Sequence, residues 1–232
     1  MKNLSFRDKV FPSITGEGSL DWSRKLKEIN SLEIKQICIF LSRFDKKERS
    51  NLYRLLLKSK IKEIPFVHLR DDMEAKELDF FINNYNTRFF NAHEDSFLQD
   101  EWKDYRDKIY LEMDYNNKIE KAVEVKRAAG FCVDLAHFRA SVARGTKEAS
   151  YTYLKRKGMR FGCNHIGGYD PAKMDDKHRI TGLKDFNYLI TLPKFLFGEV
   201  LAIEADNSIK EQLEFKEYII KILNDYFSRK TE

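Results

Sequence analysis

The sequence predicts a single (β/α)₈ barrel over residues 1–232. Three observations carry that expectation. Eight short apolar runs of strand length alternate with longer polar stretches, most of them helix-periodic. The runs are continuous rather than alternating, as expected of a parallel sheet covered by helices. Histidines and carboxylates gather at the C-terminal ends of these runs, where such barrels place their functional groups.

The first run is KVFPSI, residues 9–14, followed by the amphipathic SLDWSRKLKEIN. QICIFL (36–41) leads into KKERSNLYRLLLKSK, with apolar residues at helical spacing. IPFVHL (64–69) precedes MEAKELDFFINNY, and TRFFNAH (87–93) precedes DEWKDYRD. KIYLEM (108–113) is followed by NKIEKAVEVKRAA, read as a helix stopped by Gly130. FCVDLAH (131–137) is read as the sixth strand run, with the chain leaving the strand at Asp134 and His137, and EASYTYLKRK as a helix ending at Gly158. RFGCNHI (160–166), a long loop, the stretch LKDFNYLITLPKFLF, VLAIEA (200–205) and a closing helix over 209–229 complete the chain. The main alternative is an open doubly wound sheet, but the chain has neither a GxGxxG nor a GxxxxGK[ST] loop to support it.

Composition narrows the function classes. The chain is 42% hydrophobic and 34% charged, with a formal charge of +5. That mild excess permits a polyanionic partner without demanding one. Cys38, Cys132 and Cys163 all lie inside apolar runs with no CxxC spacing, and read as small buried residues in a reducing compartment. MKNLSFRDKVF holds no long apolar stretch, and no run reaches the roughly 18 apolar residues that span a bilayer. A cytoplasmic protein without membrane contact is expected; the oligomeric state is open.

In a barrel, the run ends point at one mouth. His68 ends the third strand, His93 the fourth, Glu112 the fifth, Asp134 and His137 the sixth, His165 the seventh and Glu204 the eighth. Asp176 and His178 form a DxH pair in the following loop, and extended backbone puts both side chains on one side. Each residue alone reads as a salt-bridge partner, cap or hydrogen-bonded loop residue. Together they offer the imidazole and carboxylate donors of a multinuclear metal site. Arg43, Arg70 and Arg139 could clamp phosphate, and Tyr169 and Phe138 could stack on a base or sugar. Arg70 reads equally well as a loop arginine paired with Asp71 and Asp72, and both aromatics as packing.

These nine positions resemble, in order and type, those of the endonuclease IV family of abasic-site nucleases, within the xylose isomerase-like barrels. The resemblance runs from the third strand to the eighth. It implies a trinuclear zinc site, with manganese or iron as alternatives. One ion would take His68, His93 and Glu112. A second would take Glu112 as a bridge with Asp134, His165 and Glu204, and the third His137, Asp176 and His178. Four carboxylates and three divalent ions leave a cluster of about +2, suited to an anionic phosphate. Glu112, Asp134 and Glu204 are the residues expected to carry catalysis. The implied reaction is cleavage of a phosphodiester, in DNA or in a smaller substrate. The chain departs from the family pattern at Glu94-Asp95 in place of Pro-Gly, at Met113-Asp114 in place of Asn-Thr, in lacking the first-strand His, and in its altered DNA-facing loops. A sugar isomerase or epimerase of the same superfamily needs only Glu112, Asp134, His165 and Glu204, with Glu112 and Glu204 moving a proton beside a carbonyl. A metal-retaining binding module is the third reading.

Overall fold

The computed structural model describes residues 6–16, 21–121 and 123–229. The expected barrel is present. Its first strand is split by Pro12 into β1 (Val10–Phe11) and β2 (Ser13–Ile14). There follow α1 (Asp21–Ser31), β3 (Cys38–Phe40), α2 (Lys46–Leu56), β4 (Phe66–His68), α3 (Ala75–Tyr85), β5 (Phe89–His93), β6 (Ile109–Glu112) and β7 (Phe131–Asp134). The chain continues through α4 (Leu135–Arg144), α5 (Lys147–Lys155), β8 (Phe161–Ile166), the hairpin β9 (Gly168–Asp170) and β10 (Asp175–Lys177), β11 (Val200–Ile203) and α6 (Ile209–Ser228).

The barrel strands pair in parallel, in the order β1-β11-β8-β7-β6-β5-β4-β3-β2. Because β1 and β2 are halves of one strand, this order closes the sheet on itself. Proline has no N–H for the ladder, so the break falls at Pro12. Gln212 of α6 mends the seam: its Oε1 accepts the Ser13 N–H at 2.7 Å, and its Nε2 donates to Ser13 O at 3.1 Å.

Strand alternation divides the interior. Phe66, Phe89, Tyr110, Cys132 and Cys163 form one buried cluster in the lower barrel, together with Cys38 and Phe40. The three cysteines are free thiols packed as apolar residues. Tyr110 fills the space left by Gly162, where a Cβ would lie 2.2 Å from its ring. Two residues further along the same strands, the same face carries His68, Asn91, Glu112, Asp134 and His165.

Two local expectations fail. Among the described residues of 117–129 there is no α-helix, and their regular structure is one 3₁₀ turn at Val125–Arg127. Side chains take the backbone donors that a helix would use. Glu94 accepts the N–H groups of Asp114 and Glu120, both at 3.1 Å, Glu148 accepts that of Asn117, and Asn116 accepts that of Lys118. The strand expected over 131–137 stops at Asp134, because its carboxylate caps α4 by accepting the His137 N–H at 2.8 Å. The stretches 100–107 and 183–197 supply 3₁₀ rather than α-helical turns. Among the described residues, no helix is long and apolar enough to cross a membrane.

Gln212→Ala leaves the Ser13 N–H without its acceptor in a buried seam. It is expected to destabilise the barrel by about 1–3 kcal/mol in urea unfolding. An unchanged midpoint would show that the seam closes without it.

Candidate metal centre

Sheet register brings the donors together. His93 lies beside Glu112, Asp134 beside His165, and His68 beside Asn91 on neighbouring strands. Glu112 is the central residue. Its Oε2 is 3.0 Å from His68 Nε2 and its Oε1 is 3.2 Å from His165 Nδ1. Asn91 donates to Glu112 Oε2 from within the barrel. The His68 Nδ1 lies 2.7 Å from Leu69 O, which places the proton there and leaves Nε2 to face Glu112.

His165 is 1% exposed and stands on an aromatic floor, edge-on to Phe40 at 4.8 Å and Phe66 at 5.3 Å. Three carboxylates surround its Nδ1: Glu112 at 3.2 Å, Glu204 at 3.2 Å and Asp134 at 3.8 Å. Neither of its ring nitrogens makes a hydrogen bond, although both are buried. An orphaned imidazole among three carboxylates fits a bound cation better than a hydrogen-bond network.

A second donor set lies nearer the surface. Extended β10 carries Asp176, and His178 follows on the same side, its Nε2 3.1 Å from Asp176 Oδ2. His137, on the first turn of α4, brings Nδ1 to 3.6 Å from Asp176 Oδ1. Glu204 joins the two regions, with Oε1 3.9 Å from His178 Nδ1. Among the described residues, three groups therefore have donor atoms within 4.8 Å of one another: His68, Glu112 and His165; Asp134, His165 and Glu204; and His137, Asp176 and His178. The third group holds the residues of the third expected set, and the second those of the second set without its bridging Glu112. In the first, His165 stands where His93 was expected. His93 lies beside it, its ring 5.0 Å from that of His68 and its Nδ1 2.9 Å from Asp114 Oδ1.

The charges interlock. Burial alone would raise Glu112, but His165, His93 and His68 hold its carboxyl well below the usual carboxylate range. Burial opposes the His165 proton, yet Glu112 and Glu204 keep it well above the ordinary imidazole value. Burial raises the Asp134 carboxyl. The hydrogen bond to Asp176 leads in raising His178 to about 9. His93 also reaches about 9, with Glu112 and Asp114 outweighing its burial.

The residues expected to bind substrate are less open than the sequence suggested. Arg70 Nε lies 3.3 Å from Asp72 and 3.8 Å from Asp71, as its plainer reading required. The Arg139 guanidinium sits over the Tyr169 ring at 5.3 Å, and Tyr169 is buried against Tyr188. Tyr169 and Phe138 therefore pack instead of presenting a free face. Arg43 borders a narrow cleft with Ser42, His178 and Glu204. Sequence reasoning missed Asn91, Asp114 and Tyr115. Asn91 was findable, because strict alternation from His93 places it inside the barrel.

No family model and no curated protein matches the chain. Its fold is similar to that of the IolI protein, solved with a binding zinc atom, at 16% identity and a TM-score of 0.50 over 94% of this chain and 100% of that one. An HpcH/HpaI aldolase from Desulfitobacterium hafniense DCB-2 superposes at 10% identity and a TM-score of 0.40, covering 94% of each chain. The first likeness shows the fold, a parallel barrel ringed by helices.

A cation must displace the protons held on His178 and His93, since both are charged at neutral pH. Zinc affinity is therefore expected to rise with pH up to about 9, by up to about tenfold per pH unit for each displaced proton. Competition with a chromophoric chelator between pH 6.5 and 8.5 measures this. A constant affinity would mean that neither imidazole is a ligand.

Proposed function

We propose that the chain is a metal-dependent enzyme that hydrolyses a phosphoester at a multi-ion centre, of the kind found in the endonuclease IV family. The observation that carries this reading is the outer set His137, Asp176 and His178, assembled beside the buried donors. A single-ion enzyme has no use for it. The donors are imidazole and carboxylate, which suit zinc and accommodate manganese or iron.

Divalent ions held here would polarise a phosphoryl oxygen and lower the pKa of an attacking water. The chain's own residues do the rest. Glu112 offers one oxygen towards His68 and the other towards His165, so it spans two positions. Glu204 spans the buried and outer sets in the same way. Asp134 turns one oxygen to the α4 backbone and the other towards His165, which fixes the ligand to the barrel wall. Phe40 and Phe66 close the centre from below and exclude water there.

The mouth favours a small substrate over duplex DNA. A cavity of about 420 Å³ borders α4 and α5 on the outside, whereas the one beside His93 measures about 350 Å³. That mouth cavity is lined by Asp71, Asp95 and Asp114, and its Arg70 is already paired. A DNA-binding face would need a basic stripe there. The pocket is instead of the size that takes a small molecule.

A second reading, a single-ion sugar isomerase or epimerase, is favoured by two observations. Glu112 and Glu204 both flank His165 at 3.2 Å, placed to move a proton beside one ion, and the carboxylate-lined mouth suits a hydroxylated substrate. The fold likeness to a barrel solved with a zinc atom also lies nearer this reading.

Elemental analysis of protein purified without chelator is expected to find about three divalent ions per chain, zinc foremost. His178→Ala should lose one of them, and with it most hydrolysis of a chromogenic phosphodiester, about 100-fold or more. Abasic duplex DNA and a free ketose complete the substrate panel. One ion per chain, with ketose isomerisation and no phosphoester hydrolysis, would replace this reading by the second.

A further inference from the structure

Tyr115 has three properties that its own packing does not explain. Its backbone φ is +54°, a region that bulky residues rarely adopt. Its phenol OH is buried and makes no hydrogen bond. Its ring lies parallel to the His137 imidazole, at 5.4 Å between centroids and 10° between planes. Strained backbone at a bulky residue points to a role outside that residue.

The loop bearing Tyr115 is pinned on both sides. The buried Glu94 carboxylate accepts the N–H groups of Asp114 and Glu120, each at 3.1 Å, and buried Glu148 of α5 accepts that of Asn117. Glu94 and Asp114 are two of the positions at which the chain departs from the nuclease pattern. Here they hold the ring over His137.

His137 needs such a support. His68 is oriented by Leu69 O at 2.7 Å and His178 by Asp176 at 3.1 Å. The nearest carboxylate oxygen to His137 Nδ1 is 3.6 Å away, too far to fix its ring. We propose that Tyr115 is a positioning residue of the outer donor set: its ring, stacked on His137, holds the imidazole facing Asp176 and His178. This inference rests on the multi-ion reading of the site.

The stack needs the ring and not the hydroxyl. Zinc titrations against a chromophoric chelator should therefore find Tyr115→Phe within about twofold of the parent for every ion. Tyr115→Met keeps bulk but removes the ring. It should weaken the last ion by about 10–100-fold while the buried ions bind as in the parent. Retention of those buried ions shows that the barrel has folded. Cobalt(II) in place of zinc supplies a second readout, since the absorption of the outer ion should change in Tyr115→Met and not in Tyr115→Phe. Unchanged affinity for the last ion in Tyr115→Met would overturn the inference, as would equal weakening of all ions. A parent without a third ion would sink the multi-ion reading and this inference together, whereas a three-ion parent with an unaffected Tyr115→Met would sink this inference alone.

Discussion

The Glu112 carboxylate, buried between His68 and His165, is the constraint on which the rest of the structure depends. A carboxylate inside a closed barrel is tolerable only when opposite charge and hydrogen bonds surround it. Asn91 donates to it from the neighbouring strand, and two imidazoles flank it. Those neighbours are themselves buried, so each needs a partner in turn. His165 takes Glu204 and Asp134, and His68 takes the Leu69 carbonyl. The polar layer thus propagates from one residue around six strands. Below it, the aromatic and cysteine layer stays apolar and fills the barrel. One side-chain period separates the two layers.

The same residues also shape the backbone. Asp134 is both a donor facing His165 and the cap that starts α4, so the turn from strand to helix places His137 three residues later on the rim. The DxxH spacing is therefore a strand, a cap and a first helical turn. That join lets one short segment serve both the buried and the outer donor set. The hairpin β9–β10 does the corresponding work from the next strand, carrying Asp176 and His178 back over α4.

The strands were legible because a parallel barrel leaves its signature as unbroken apolar runs, and their ends located the donors. The connections were less legible. Residues 117–129 have the Lys, Glu and Ala content of a helix, yet Glu94 and Glu148 take their backbone donors, and both acceptors lie far off in sequence. No local pattern reveals a competitor that folding brings in from elsewhere. His137 was legible as a residue where the chain leaves the strand, but the helix that starts there was not; the cap at Asp134 sets it. Tyr115 lay beside Glu112 in sequence but bears on His137, a contact only the tertiary fold makes. The charge of Arg70 and Arg139 was visible in the sequence, whereas their neighbours in the fold, Asp71 and Asp72 for one and the Tyr169 ring for the other, are a matter of geometry.

Depth grades the centre. The side chains of His165, Glu112, Asp134 and His68 are at most 5% exposed, whereas those of His178 and His137 reach 28% and 31%. Coulomb attraction grows as the surrounding dielectric falls, so the buried donors are the stronger electrostatic trap. They are also the more rigid, being fixed to strands that pair on both sides. The outer donors stand on a helix turn and a two-stranded hairpin, where solvent screens them and fewer contacts hold them. In the proposed multi-ion enzyme, a deep, rigid set next to a shallow, adjustable one would divide the labour. The first fixes charge in place, and the second can accommodate the changing geometry of a reacting group. The arrangement follows from chain topology alone, because the buried donors are strand residues and the outer ones come from the segments just beyond the strands.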